Sequence, residues 1–319
     1  MRIGVVTPAG PATQHGNGVT AHRWAGILSS LGHDVEVTGS YDGQPLDVLV
    51  ALHARKSADA VRTATRDRPR ARVVVALTGT DLYPDLITAG VDLAVLAAAD
   101  RLVVLQHRAL EQLPPELRAR TRVIHQSVDP QPTAPVAAGV FDVVELAHLR
   151  AVKDPLLVAA AVALLPGDSR IRVLHAGAVL DPDLGERAAH HDRETARYHW
   201  LGALPRTEAL ALLASSRLMV HPSRHEGGAN VTSEAIATGI PVLASRIPGT
   251  VGLLGEAYPG YFPAGDAAAL AELLVRCERN TDGCYDELLR RIRALRPLTD
   301  PQTEQRAWQQ LLAELAVHP

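Results

Sequence analysis

The sequence predicts an α/β protein built from two doubly wound, Rossmann-like domains, and three observations carry that expectation. Short β-branched runs alternate with longer Ala- and Leu-rich stretches along the chain, the runs are continuously apolar, and one proline-rich segment interrupts the alternation near the middle. Strands that read as unbroken apolar runs between helices belong to a parallel sheet covered on both faces. At 319 residues the chain exceeds what one core usually supports, so two domains of about 130 to 180 residues are expected.

The elements follow in order. "RIGVVTP" is a compact strand and "VTAHRWAGILSSLG" an amphipathic helix closed by Gly32. "HDVEVTG", "LDVLVALH", "RVVVALTGT", "RLVVLQ" and "TRVIHQSV" are further strands. "DPQPTAPVAAG", residues 129–139, contains Pro130, Pro132 and Pro135 with little periodicity and reads as a linker. The alternation then restarts with "VFDVVELAHL", helix "DPLLVAAAVALLP", strand "IRVLHAG", a charged helix near 183–196, strand "YHWLGAL", helix "RTEALALLASS", strand "RLMVHPS", a diglycine loop with its helix, and strand "PVLASR". The expected domains are 1–135 and 136–300. In 301–319, Trp308, Leu311, Leu312 and Leu315 fall at helical spacing, as in a helix that docks, with the first domain as its candidate partner. Ligands of such sheets bind beyond the carboxyl ends of the strands, so a cleft between facing halves is the expected site.

Composition narrows the function classes. Hydrophobic residues make up 47% and charged residues 21%, enough to bury a large core. The net charge of -3, from 32 basic and 35 acidic side chains, offers no overall footprint for nucleic acid. The basic run 55–72 reads as a solvated helix face. Cys277 and Cys284, placed in a helix and the loop after it, match no zinc spacing, nor do His190, His191 and His199. With no run of the ~18 to 20 apolar residues a membrane span needs, a cytoplasmic protein without stable membrane association is expected.

The segment "HPSRHEGGANVTSEAIATGIPVLASRIPG", 221–249, holds two carboxylates, Glu226 and Glu234, around Gly227 and Gly228. Asn230 reads as the N-cap of a helix that Gly239 ends. The amides and dipole of a helix start favour an anion, and glycines let a phosphate approach the main chain. Glu234, about a turn inside the helix, is suited to accept hydrogen bonds from a diol. The plain alternative is that both acids complement the helix dipole and the glycines make a turn.

"EGGANVTSE" followed by "AIATGIPVLASRIPG" resembles the C-terminal signature of the family 4 glycosyltransferases of GT-B fold. "GNGVTAHRWAGILSSLGHDVEV" resembles their Gly-rich loop and first helix, and "HWLGALPRTEALALLASSRLMVHPS" the stretch before the signature. The resemblance implies two facing Rossmann-like domains, a nucleotide-sugar donor held mainly by the second, no metal and no cofactor beyond the donor. It places Glu234 on the ribose hydroxyls, Gly227, Gly228, Asn230 and Gly16 around the donor, and Glu226 at the donor sugar. "AHLRAVK" stands where the family has an Arg and a Lys on the diphosphate. Lys153 matches, His148 replaces the usual Arg, and Arg150 is the candidate substitute. Cations there would stabilise the departing nucleoside diphosphate.

A narrower resemblance joins "HGNGVTAHRWAG", "VALHARKSA", "VALTGTDLYPDL", "RVIHQSV", "SRHEGGANVTSEA" and "IPGTVGLLGEAYPGYFPAGD" to the selenosugar synthases of selenoneine biosynthesis. It implies transfer of a sugar, N-acetylglucosamine, from a UDP-sugar to selenophosphate. Candidate acceptor residues are His15 and Asn17, the loop Thr78, Gly79, Thr80 and Asp81, and His53 at a strand end. Arg23 and His221 are weaker candidates. An ordinary family 4 transferase acting on a sugar, lipid or thiol is one alternative, and a non-catalytic UDP-sugar sensor is another.

Overall fold

The computed structural model describes residues 1–8, 16–67, 71–129 and 134–317. The chain divides into two compact units. The first comprises Met1–Ser127, the short segment Glu226–Asn230 and Pro301–Pro319, and the second Val128–His225 and Val231–Asp300.

The first unit contains β1 (Arg2–Val6), α1 (Gly16–Ser30), β2 (Asp34–Thr38), β3 (Val48–Leu52), α2 (Ala58–Asp67), β4 (Arg72–Leu77), α3 (Leu93–Ala98), β5 (Arg101–Val104), α4 (Pro115–Arg118) and β6 (Thr121–Val123). Its strands form one parallel sheet in the order β2-β1-β3-β4-β5-β6. Every residue of β3 is buried, as both faces of a covered parallel strand require. Gly32, at φ +85°, takes the left-handed conformation beyond the end of α1, where a side chain would be strained.

The second unit contains β7 (Phe141–Leu146), α5 (Leu157–Val162), β8 (Ile171–Ala176), α6 (Pro182–Glu194), β9 (Tyr198–Trp200), α7 (Arg206–Ala214), β10 (Leu218–His221), α8 (Asn230–Thr238, whose first residue groups with the first unit), β11 (Val242–Ser245), α9 (Pro248–Leu254), β12 (Tyr261–Phe262), α10 (Ala267–Glu278) and α11 (Cys284–Leu295). Its parallel sheet runs β12-β11-β10-β7-β8-β9. Cys284 opens α11 rather than lying in a loop after α10, and both thiols are free, their sulfurs 3.9 Å apart.

The last helix, α12 (Pro301–Val317), lies in the first unit. Its Trp308, Leu311, Leu312 and Leu315 enter the core formed by Ile3, Val5, Trp24 and Leu28, and the Trp24 and Trp308 rings meet edge to face at 4.8 Å. Glu304, at the start of α12 and 1% exposed, accepts hydrogen bonds from Arg23 Nε, Trp24 Nε1 and both the backbone N–H and hydroxyl of Ser127. One buried carboxylate thus ties α12 to α1 and to the last residue of the unit's main segment. Four donors, one of them cationic, offset the cost of burying its charge.

Candidate functional site

In the second unit the strand order places β7 beside β10, and the chain winds away from this pair in both directions. Loops leaving the carboxyl ends of two such strands diverge and open a crevice. The loop after β7 carries His148, Arg150 and Lys153, and the loop after β10 leads to the diglycine.

Two contacts join these loops. The Arg224 backbone N–H donates to the carbonyl of Val152 at 2.9 Å, and Arg224 Nη2 lies 2.8 Å from Asp154 Oδ2. Asp154 has φ +48°, a left-handed conformation that costs energy for a residue with a side chain. Lys153, the residue before it, is half-buried, and Arg150 is exposed. His148 Nδ1 accepts the Ala178 N–H at 3.1 Å, so the ring standing at the Arg position ties this loop to the chain beyond β8.

Glu234 lies one turn inside α8 and is 3% exposed. Its Oε1 is 2.6 Å from Nη1 of Arg206, the first residue of α7, in an ion pair without hydrogen-bond alignment. Arg206 is a residue that motif reading missed. The signal available was a cation at a helix start after a strand of the same sheet. Glu226 is half-buried.

The helix entrance has contacts that the sequence does not show. Asn230 lies at the entrance of α8. It is the first helical residue, its Oδ1 accepts from Arg23 Nη1 at 3.2 Å, and its Nδ2 reaches the Gly16 carbonyl at 3.4 Å. Arg23 bonds to Asn230 and Glu304 through Nη1 and Nε, and its Nη2 is buried without a hydrogen-bond partner. The diglycine, in turn, answers to close packing. An added Cβ on Gly227 would fall 2.5 Å from the carbonyl carbon and oxygen of Thr78, and one on Gly228 would fall 2.5 Å from Cβ of Leu105. The space that only glycine leaves is filled by protein.

In the first unit, β1 and β3 form the corresponding divergence point, and His53 follows β3. Its backbone is left-handed at φ +70° and its side chain is buried. Nε2 lies 3.1 Å from Thr80 Oγ1 and Nδ1 3.9 Å from Asp81. Burial holds the imidazole below its ordinary pKa, with the Asp81 charge acting in the opposite direction. Asp81 is fully buried and accepts the backbone N–H groups of Ala54, Thr78 and Gly79 at 2.8, 3.0 and 2.8 Å. The carboxylate and the amides of Thr78 and Gly79 are spent on one another, fixing the loop.

Thr80 is exposed and Asn17 half-buried at the start of α1. Gly16, the first residue of α1, has open space where a Cβ would stand. His15 lies outside the described residues. His221 is buried at the end of β10. Among the described residues no cluster of three or more His, Cys, Asp or Glu side chains is arranged to hold a metal, and no helix is long and apolar enough to cross a membrane.

A buried polar cluster lies beneath the β7 loop. Glu145 and His175 are paired across β7 and β8, both fully buried, with Glu145 Oε2 3.8 Å from His175 Nδ1. His175 bonds through Nδ1 to the Tyr198 hydroxyl at 2.7 Å and through Nε2 to the Ala147 carbonyl at 2.8 Å. Neither oxygen of Glu145 has a hydrogen-bond partner. Burial, aided by the negative charge of Asp154, raises the Glu145 pKa well above its ordinary range, and burial pushes His175 down to about 4. His175 is therefore neutral at pH 7, and burial favours the neutral, protonated form of Glu145.

The two parallel six-stranded sheets with flanking helices make a two-domain α/β protein of GT-B fold, the architecture of nucleotide-sugar glycosyltransferases. Residues 137–293 match the family model described as Glycosyl transferases group 1, which with the fold supports a glycosyltransferase of that group. Similar solved structures include sucrose-phosphate synthase from Thermosynechococcus elongatus (17% identity, 100% of both chains, TM-score 0.79) and a glycosyltransferase from Rickettsia africae ESF-5 (15% identity, 100% of this chain and 99% of that one, TM-score 0.80). Anabaena Alr3699/HepE in complex with UDP-glucose is similar at 16% identity over 99% of this chain and 100% of that one, with a TM-score of 0.76. No curated protein matches the chain.

Proposed function

We propose that the chain transfers N-acetylglucosamine from its UDP-sugar to selenophosphate, with the loops after β7 and β10 holding the donor. The observation that supports the donor half is the joined pair of loops in the second unit, in which the neighbours of Lys153, Val152 and Asp154, bond to Arg224 in the loop after β10. A solved structure similar in fold contains UDP-glucose, which supports a UDP-sugar donor. Glu234 takes the ribose hydroxyls, Glu226 the sugar, and Lys153 with Arg150 the diphosphate. Gly16, which has open space at its Cβ position, is left for close approach of the donor.

In the reaction the selenium of selenophosphate forms a bond to the anomeric carbon while the bond from that carbon to the UDP oxygen breaks. The electron pair leaves with UDP, whose growing charge Lys153 meets. The acceptor is already an anionic nucleophile, so no side chain is required to remove a proton. Water then releases phosphate from selenium to give the 1-seleno sugar. Asn17, Thr80 and His53 remain as acceptor-side candidates.

A second reading keeps the donor and changes the acceptor to a sugar, lipid or thiol. The saturation of Asp81 by Thr78 and Gly79 favours it, because those amides are not available to a small anion. Incubation with UDP-N-acetylglucosamine, with and without selenophosphate, followed by mass spectrometry decides. UDP release that depends on selenophosphate and yields a selenium-containing hexosamine is the expected outcome. Turnover only with another acceptor supports the second reading, and UDP binding without turnover under any condition indicates a sensor.

A further inference from the structure

We infer that Arg206 positions Glu234 for recognition of the ribose and so sets the preference for a ribonucleotide donor over its deoxy counterpart. The inference rests on the proposed ribose role of Glu234. It starts from a carboxylate whose side chain is only 4% exposed, with one cation, 40% exposed, held 2.6 Å from Oε1.

A buried carboxylate without compensation is costly, and an ion pair that reaches it from the solvent side offsets part of that cost. The geometry does more than neutralise. Oε1 is buried yet carries no hydrogen bond, because the guanidinium approaches it out of alignment. A carboxylate oxygen has two acceptor positions, so Oε1 keeps capacity for a hydroxyl donor. A buried acceptor held by charge and lacking a hydrogen bond is suited to a neutral donor such as a ribose hydroxyl.

Placement supports the same role. Pro205 precedes Arg206 at the start of α7, which fixes the backbone from which the guanidinium extends. Glu234 sits in α8 between Ser233 and Ala235, both buried, so its carboxylate has little freedom at its base. Two rigid helices thus hold the two ends of the pair. Removing the guanidinium frees the glutamate side chain to turn, and hydroxyl recognition loses its fixed acceptor.

A site that hydrogen-bonds a hydroxyl discriminates against the analogue lacking it, because its buried acceptor is then left unpaired. The test compares binding of UDP and 2′-deoxy-UDP by calorimetry in the wild type, R206A, R206K, E234Q and R206A/E234Q, with melting temperatures as a check on folding. The wild type is expected to prefer UDP by about tenfold or more, the equivalent of one hydrogen bond to a charged group. R206A should bring that ratio towards one, R206K should restore part of it, and R206A should have no further effect on the ratio in the E234Q background.

If R206A weakens UDP and 2′-deoxy-UDP equally, Arg206 acts on another part of the donor or only on folding, and the inference is overturned. Additive effects of R206A and E234Q on the ratio overturn it as well. If E234Q itself leaves the ratio unchanged, the ribose reading of Glu234 fails and takes the inference with it, an outcome distinguishable from the other two. Should R206A not fold, R206K and R206Q carry the same comparison.

Discussion

Burial shifts the pKa of Glu145 up and that of His175 down, which makes a prediction that separates their contributions by sign. His175 is pushed from its ordinary 6.5 down to about 4 by burial. Below pH 6.5 the unfolded chain takes up a proton that the folded chain refuses, so the stability His175 contributes is present above 6.5 and lost as pH falls. The interval from 6.5 to about 4, at about 1.4 kcal/mol per pH unit, amounts to about 3 kcal/mol. Glu145 acts in the opposite direction. Its carboxyl is raised well above 4.5, so its contribution is present below 4.5 and lost as pH rises, at the same slope while the folded group stays protonated.

Between pH 4.5 and 6.5 the two slopes oppose one another, and each single variant should unmask the other group. E145Q is expected to gain stability relative to wild type on going from pH 4.5 to 6.5, and H175Q to lose stability over the same interval, whatever each substitution costs at a fixed pH. The measurement is hydrogen exchange of the β7 and β8 amides across a urea series at each pH, which reports the second unit alone. Parallel pH curves for wild type and both variants would refute the opposed shifts. A relative loss for E145Q as pH rises would instead show that the carboxylate and imidazolium are ionised together.

Two further predictions concern the first unit and the helix entrance. D81A should destabilise the first unit by about 3–5 kcal/mol, because three backbone N–H groups lose a charged acceptor, while D81N keeps one acceptor oxygen and should cost less than half as much; urea unfolding of the two variants checks this. G227A should cost about 1–3 kcal/mol through the clash of its Cβ with Thr78, whereas G16A, facing open space, should stay within about 0.5 kcal/mol of wild type in stability while weakening UDP-sugar binding in calorimetry.

Much of the fold was legible because apolar periodicity reports burial directly. Runs such as "VVVAL" in β4 and "VLVAL" in β3 have no polar residue to place on a solvent face, so a covered parallel sheet is the one arrangement that suits them. The short helices α3 and α4 escaped notice. Each spans six residues or fewer, too few turns to display a period. Within the candidate site, Glu234 stood out by its place a turn inside the helix and Lys153 through the family resemblance, but Arg206 did not, because it lies 28 positions before its partner and only the packing of α7 and α8 brings them together.

Asp81 shows the limit of motif reading most clearly. "LTGTD" at a strand end has the composition of an anion-binding loop, with small residues, free-looking amides and a polar tip. The same composition also suits a loop that binds its own carboxylate, since Asp81 lies two and three residues beyond the amides it accepts. Sequence does not distinguish a nest that holds a ligand from one that holds itself. The deciding quantity is whether the chain supplies an acceptor at that reach, and here it does. At Gly227 the backbone of Thr78 occupies the position that a Cβ would take, so the missing side chain there serves packing within the first unit. In the proposed transfer, the acceptor-side candidates are accordingly the side chains of Asn17, His53 and Thr80, since the amides of Thr78 and Gly79 already bond to Asp81.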